Sequence, residues 1–277
     1  MSTLYLVATP IGNLEDISTR ALHTLSIVRL IAAEDTRHTA KLLRHYHIHT
    51  PSLSYHEHNK LVRLEAVLEA LEEGDVALVS DAGTPALNDP GYELVRAVIA
   101  RGHNVSPIPG ACAPIAALVA SGLPTGAFAY LGYLPRKSGE RRRLLEGVAG
   151  LPYTLIFLEA PHRLLPALQD LQACLGDRQM AVGRELTKLH EEIFRGRLSE
   201  AISYFSANLP RGEFTLVLEG GKIQAARWAV ERLEVELELF LAEGSSASQA
   251  AARLATLSGW SRREIYQRLL DRKGRSS

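Results

Sequence analysis

Val76-Ala77-Leu78-Val79-Ser80-Asp81-Ala82-Gly83-Thr84-Pro85 is followed at once by Asp89-Pro90-Gly91, and the order of these pieces points to the fold. The apolar run reads as a buried strand, the Gly-Pro turn closes it, and residues 91–100 carry the pattern of a helix. The same unit recurs on both sides. Upstream, residues 4–8 read as a strand closed by Pro10 and Gly12, 19–28 as a helix and 30–33 as a second strand. A helix is expected over 60–72, with Leu61, Leu64, Val67, Leu68 and Leu71 on one face. Downstream, a strand over 105–108 precedes a Pro-Gly turn, and 113–119 form a short helix entered at Pro114. Strand, glycine turn and helix in repetition predict an α/β architecture with a largely parallel sheet.

Residues 121–126 (Ser-Gly-Leu-Pro-Thr-Gly) are loop-forming and mark an expected boundary between a first α/β domain, 1–122, and a second, 123–223. In the second, strands are expected over 128–133, 153–158, 179–184 and 214–219, with helices over 141–148, 162–175 and 198–205. From Gln224 the texture changes. An amphipathic helix is expected over 225–243 and shorter helices over 248–257 and 261–270, with Ser245 or Ser246 and Ser261 as N-caps. Residues 224–277 therefore read as a small helix-turn-helix-like appendage. Its end is basic, with Arg253, Arg262, Arg263, Arg268, Arg272, Lys273 and Arg275 set against Glu264 and Asp271.

The 277 residues are 46% apolar and 22% charged, and the formal net charge is zero. A nucleic-acid partner would therefore have to be met by local concentrations of basic charge. Cys112 and Cys174 stand far apart, which excludes a zinc ribbon or a disulfide framework. The opening MSTLYLVATP lacks a signal-peptide pattern, and no apolar run is long enough to span a bilayer. A cytoplasmic protein with no membrane segment is expected. His45, His47 and His49 alternate and His56-x-His58 follows, but with no H-E-x-x-H or Cys partner these fit a solvated or RNA-facing loop better than a metal site.

In open α/β sheets ligands sit beyond the carboxyl ends of the strands. Four loops rich in Gly, Pro and small residues are candidates: 8–13, 80–85, 107–112 and 212–215. None carries a P-loop or dinucleotide fingerprint, so nucleotide triphosphates and dinucleotides drop out. Each loop alone is weak, since such turns are commonly plain architecture.

Taken together, LYLVATPIGNLEDIS, IAAEDTRHTAKLL, SYHEHN, ALVSDAGTPALNDPG, PIPGACAPIAALVASGLP, TLIFLEAPHRL, VGRELTKLHEE and GEFTLVLEG span nearly the whole chain. In order and spacing they resemble the ribosomal RNA small subunit methyltransferase I family, a branch of the tetrapyrrole methylase superfamily. The resemblance implies two α/β domains with S-adenosyl-L-methionine in the cleft between them, usually in a homodimer. It implies 2′-O-methylation of a cytidine ribose in small-subunit (16S) rRNA, presented as free RNA or as the 30S particle. It implies cofactor contacts from Pro10, from Ala82, Gly83, Thr84 and Leu87, and from Ala111 and Cys112. Leu158, Glu159, Leu186, Phe214 and Thr215 would close over the adenosine from the second domain. The superfamily's first loop is reduced here to the proline turn of Ala8-Thr9-Pro10-Ile11-Gly12, and Thr84 replaces the aspartate of its G-G-D-P loop.

Methyl transfer to oxygen needs the two reacting atoms aligned, and a ribose hydroxyl benefits from a base. The candidate catalytic residues are Glu34, Asp35 and Arg37 of AEDTR together with Asp81. An acid paired with Arg37 could equally be structural. His56 to Asn59, and Glu159 with His162 and Arg163, are further candidates. Phosphate contacts are expected from Arg136, Lys137, Arg141, Arg142 and Arg143 and, in the appendage, from Arg262 and Arg263. Tyr133, Trp260 and Tyr266 could stack on bases, though the commoner fate of the last two is the core of the appendage. Two alternatives remain open at this point: C-methylation of a tetrapyrrole, and a non-catalytic RNA-binding assembly factor.

Overall fold

The computed structural model describes residues 2–221, 228–242 and 245–273. They divide into two compact units, the larger made of 1–149 with 153–220 and the smaller of 150–152 with 221–277.

The larger unit holds two five-stranded sheets. The first contains β1 (Thr3–Val7), β2 (Leu30–Ala33), β3 (Ser52–Ser54), β4 (Val76–Val79) and β5 (Asn104–Ile108), in the order β3-β2-β4-β1-β5. Every pairing in it is parallel. The crossovers are α1 (Thr19–Ile27), α2 (Thr36–His45), α3 (Lys60–Glu73) and α4 (Tyr92–Ala100), with α5 (Ala113–Ala120) following β5. All four residues of β4 are buried, because both faces of the sheet are covered. Ala77 and Val79 pack with Leu25, Val28 and Leu43 on one side, whereas Val76 and Leu78 pack with Val67, Leu71 and Leu94 on the other. The period of two along the strand produces this division. Leu61 departs from the expected face: in the first turn of α3 it is 72% exposed. Neither α2 nor β3 is evident in the sequence, since α2 buries only Thr39 and Leu43 and β3 has three residues.

The second sheet contains β6 (Phe128–Tyr133), β7 (Thr154–Glu159), β8 (Gln179–Arg184), β9 (Glu192–Arg197) and β10 (Phe214–Leu218), in the order β6-β7-β10-β8-β9. Only β6 and β7 are parallel. The other three pairings are antiparallel, so the strand-helix alternation does not carry its parallel pattern into this half. The cause lies partly in the connection from β8 to β9, a hairpin with Glu185 and Thr187 at φ 48° and 67°. Without a glycine at those positions, the turn is not announced by composition. Helices α6 (Ser138–Val148), α7 (Leu164–Leu175) and α8 (Leu198–Ala207) complete this half. Ile11, Ala117 and Leu118 of the first half share a core with Ile156, Ala181, Leu186 and Val217 of the second.

In the smaller unit, α9 (Val230–Ala242), α10 (Ala247–Ser258) and α11 (Arg262–Lys273) enclose Leu233, Leu237, Ala251, Leu254, Trp260 and Ile265. Ser246 caps α10 in a reciprocal pair with Gln249, and Gly259 at φ 67° ends the helix. The Ser261 hydroxyl accepts from the Glu264 N–H. Trp260 is core, but Tyr266 is 41% exposed. The expected boundary at Gln224, the start of the 225–243 helix, Glu243 and Arg275 lie outside the described residues. Among the described residues no helix is long and apolar enough to cross a membrane.

Asp170 on α7 is 3% exposed and accepts from Arg141 on α6, from Arg142 Nε at 2.7 Å and from Ser138 Oγ at 2.8 Å. Burial pushes its carboxyl up, but these donors outweigh burial and hold it below the usual carboxylate range. Asp170→Ala would leave the buried Arg141 guanidinium without a counter-charge, at a cost of about 3–5 kcal/mol. Urea denaturation should show a loss of that order, and a shift below about 1 kcal/mol would rule the pair out as an anchor.

Candidate active site

The loops following β1, β2, β4 and β5 meet at the carboxyl end of the parallel sheet, and backbone hydrogen bonds tie them together. Thr9 and Gly83 exchange N–H···O bonds of 2.9 and 3.0 Å. Glu34 Oε2 accepts the Asp81 N–H at 3.2 Å, and Asp81 Oδ1 accepts the Asp35 N–H at 3.0 Å. The Thr84 hydroxyl donates to the Ala111 carbonyl at 3.2 Å. Gly83 sits at φ 83°, where a Cβ would meet Ile11 at 3.3 Å. Further along the same loop Ala86 and Asn88 hold φ of 64° and 66°. Asn88 lies against Gly132, where a Cβ would come within 2.4 Å of its side chain. Gly132 falls in the irregular stretch of β6 between Tyr130 and Tyr133, and both tyrosines line the cleft between the two halves.

This cleft is a cavity of about 270 Å³. Its first-half wall includes Glu34, Asp81, Gly83, Thr84, Leu87 and Asp89, and its second-half wall includes Tyr130, Leu158, Glu213, Phe214 and Thr215. It is lined by four carboxylates, Glu34, Asp81, Asp89 and Glu213, and among the described residues by no Lys, Arg or His. Burial first, then the neighbouring Glu34 carboxylate, pushes Asp89 up to about 6. Burial raises Glu34 as well, against the Asp81 N–H bond. The buried Tyr130 hydroxyl has no hydrogen-bond partner among the described residues. Burial, with Cys112, Tyr133 and Asp89 adding, lifts it to about 12. Such a site suits a ligand that is cationic and partly apolar and that can bond a tyrosine hydroxyl.

The tetrapyrrole (corrin/porphyrin) methylases family model matches residues 3–202, and that of the RsmI C-terminal HTH domain matches 234–273. A ribosomal RNA small subunit methyltransferase I of Synechocystis sp. is 50% identical over 274 residues, covering 98% of each chain. Another, of Escherichia coli O157:H7, is 45% identical over 98% of this chain and 96% of that one. The chain belongs to the ribosomal RNA small subunit methyltransferase I family.

Solved structures of similar fold include a methyltransferase CobJ, with TM-score 0.60 at 18% identity over 83% of this chain and 97% of that chain. A uroporphyrin-III C-methyl transferase of Thermus thermophilus complexed with S-adenyl homocysteine has TM-score 0.54 at 20% identity, over 80% and 98%. At these identities the likeness is one of fold.

Of the cofactor residues that the family pattern implies, Ala82, Gly83, Thr84, Leu87, Cys112, Leu158, Phe214 and Thr215 line the cleft. Four do not. Pro10 lines a neighbouring cavity, Ala111 touches the loop through its carbonyl, and Leu186 is buried against Gly183 and the shared core. Glu159 is 2% exposed and bound to Arg163 and the Ala160 N–H. Of the catalytic candidates, Glu34 and Asp81 reach the cleft, whereas Asp35 and Arg37 do not. Asp35 caps α2 and pairs with Arg37, whose hydrogen bonds hold it down at about 2. His56 is not in the cleft wall; its N–H is held by Asn59 Oδ1 at 2.8 Å.

Among the basic candidates Arg136 lines a groove with Tyr133, His162 and Arg163. Lys137 is exposed and pairs with Glu140 at 3.4 Å, and Arg143 is exposed. Arg141 is a correction: at 4% exposure, bound to Asp170, it presents nothing to a polyanion. Arg142 spends its Nε on the same carboxylate. Arg262 and Arg263 are exposed, Arg262 donating to Ser248. Sequence reasoning did not single out Asp89, Asn88 or Tyr130, and it took Glu213 only as part of the 212–215 loop. Asp89 stands in Asp-Pro-Gly, where it reads as a turn residue, although the motif itself was visible.

Two outcomes are expected. Gly83→Val forces a branched side chain into the left-handed region at about 1–2 kcal/mol and crowds Ile11. Calorimetry should then find S-adenosylmethionine binding lost in a protein that keeps its circular dichroism spectrum; unchanged affinity would move the cofactor elsewhere. Asp89 holds its proton more tightly folded than unfolded, so the stability linked to it is largest at low pH and is lost as pH rises from the unfolded value through about 6. Asp89→Asn should therefore raise Tm more at about pH 8 than at about pH 4.5; an equal change at both would contradict the raised carboxyl.

Proposed function

We propose that this chain transfers a methyl group from S-adenosylmethionine to the 2′-hydroxyl of a cytidine ribose in small-subunit (16S) rRNA. In this reading it works in the cytoplasm as a homodimer, on the free RNA or the 30S particle. Family membership supports the reading, and the observation that carries it is the cleft lined by carboxylates without a cation. S-adenosylmethionine brings a sulfonium and an ammonium, and four carboxylates favour both. The same field disfavours a tetrapyrrole polycarboxylate, which weighs against the tetrapyrrole alternative. The unpartnered Tyr130 hydroxyl and the apolar Leu87, Leu158 and Phe214 also fit a nucleoside-bearing cofactor. In this assignment Gly83, Thr84, Leu87, Cys112, Leu158, Phe214 and Thr215 hold it.

When bound, S-adenosylmethionine supplies a methyl group already activated on a sulfonium. The chain has to present the acceptor hydroxyl in line, exclude water and receive one proton. Asp81 and Asp89 are the carboxylates assigned to the hydroxyl. Asp81 is fixed through its bond to the Asp35 N–H, so it suits orientation. Asp89, raised to about 6, is the better base near neutrality. Asp35, held ionised by Arg37, is the weakest base of the set. Arg136 and Lys137, with Arg262 and Arg263 of the appendage, are assigned to phosphates along the RNA.

The test is methyl transfer to 30S particles, naked small-subunit rRNA and uroporphyrinogen, with mass mapping of ribose methylation. Transfer to uroporphyrinogen alone, or none at all, would overturn the reading. Single-turnover rates should fall as pH drops through about 6 in the wild type. Asp89→Asn should lose up to roughly 10⁴-fold with that limb flattened, and Asp81→Asn about ten- to a hundredfold with the limb retained. Wild-type rates from both would move the chemistry to other groups.

A further inference from the structure

Beside the carboxylate cleft lies a second cavity of about 280 Å³ whose charge is different. The two share Ile11, Asp81, Ala82 and Glu213, so these residues form the partition between them. The second cavity is also lined by His38, Lys41 and Leu42 of α2 and, beside the partition, by Lys188. Lys188 is neutralised by Glu185 at 3.0 Å and Glu213 at 3.2 Å. Lys41 is exposed and makes no ion pair among the described residues.

Helix α2 extends that charge. It buries Thr39 and Leu43 and contains no acidic residue. Arg37, Lys41 and Arg44 stand at i, i+4 and i+7 on the opposite side, about 6 and 4.5 Å apart along the axis. Arg37 is engaged by Asp35, but Arg44, like Lys41, is exposed and has no ion pair among the described residues. The α6 cluster contrasts with this, since Arg141 and Arg142 are bound to Asp170 and Lys137 to Glu140. Besides the exposed Arg136 between β6 and α6, free cationic charge next to the cleft is found on α2. A carboxylate and the unpaired Lys41 in the wall of one small cavity, with Arg44 a turn further along α2, match a nucleotide, whose ribose hydroxyl needs an acceptor and whose phosphates need cations.

We propose that the second cavity takes the acceptor nucleotide of an unpaired RNA strand. Its ribose lies at the Asp81 partition with the 2′-hydroxyl turned into the cleft that Asp89 lines, and the adjoining phosphates rest on Lys41, Arg44 and His38 of α2. This assignment rests on the RNA-methyltransferase reading and specifies where the strand crosses the protein.

The experiment compares wild type with the exposed-surface double variant Lys41→Ala/Arg44→Ala. Its readouts are binding of a small-subunit rRNA transcript over a range of salt, S-adenosylmethionine affinity, and methyl transfer. Loss of two phosphate contacts should lower the slope of log K against log salt by roughly 1.4 and raise the KM for RNA roughly tenfold. Cofactor affinity should stay unchanged, and Lys41→Arg/Arg44→Lys should restore the slope. A photoreactive nucleotide at the methylated position should crosslink to the peptide containing Lys41. If wild type methylates the RNA but the double variant keeps its slope and KM, or if the crosslink falls only on the α6 segment or the C-terminal helices, the proposal is wrong and the function stands. If wild type neither binds nor methylates the RNA or the 30S particle, both fall.

Discussion

Two carboxylates and a glycine hold the loops of the parallel sheet in one place. Glu34 accepts from the Asp81 backbone, Asp81 accepts from the Asp35 backbone, and Gly83 exchanges both its backbone bonds with Thr9. The carboxyl ends of β2 and β4 are thereby joined by side chains that also line the cleft, and those of β1 and β4 by backbone bonds. The carboxylates cannot be removed as mere polar surface, because each satisfies a neighbour's N–H. Everything on the first-half wall depends on this clasp: the left-handed Gly83, the Thr84 bond to Ala111, and the excursion through Ala86 and Asn88 that delivers Asp89.

The opposing wall is positioned by packing. Asn88 sits against Gly132, and Tyr130 and Tyr133 flank that irregular stretch of β6. Ile11 and α5 share a core with the second sheet, so the first loop is held by apolar contact even though it lacks the superfamily's glycines. Local conformational cost is present at the cleft, with Ala86 and Asn88 at positive φ and a carboxyl raised by burial beside like charges. Such violations of local preference are expected where function competes with stability.

Charge separates two neighbouring cavities that share a wall. One is acidic; the other is acidic at the partition and basic on the α2 side. The net charge of zero conceals this arrangement, because the opposing signs cancel in the sum. The same cancellation misleads a reading of basic runs. The 136–143 run is the densest string of Arg and Lys in the second half, yet its most buried member anchors α6 to α7 through Asp170.

The α/β class, the strands β1, β2, β4 and β5, the helical appendage with its Ser246 cap, and the family itself were legible in the residues. Buried strands read as unbroken apolar runs, turns need Gly and Pro, and caps need a side-chain oxygen; these are local requirements, written locally. Glu34, Asp81 and the 82–87 loop were legible as residues of the cleft wall for the same reason, since they follow a strand end. Helix α2 and strand β9 were not, because a surface helix burying two residues and a polar edge strand leave little periodic signal. The antiparallel pairing of the second sheet was hidden in turns made by Glu185 and Thr187 without glycine. Asp35 as a cap, Arg141 as a buried anchor, Glu159 as an arginine partner and Asp89 as a cleft carboxylate were decided only by which distant group each one meets. Spacing along the chain records a side chain's type and its local geometry, but its charge state and availability depend on burial and on a counter-charge, and both are set by residues far away in sequence.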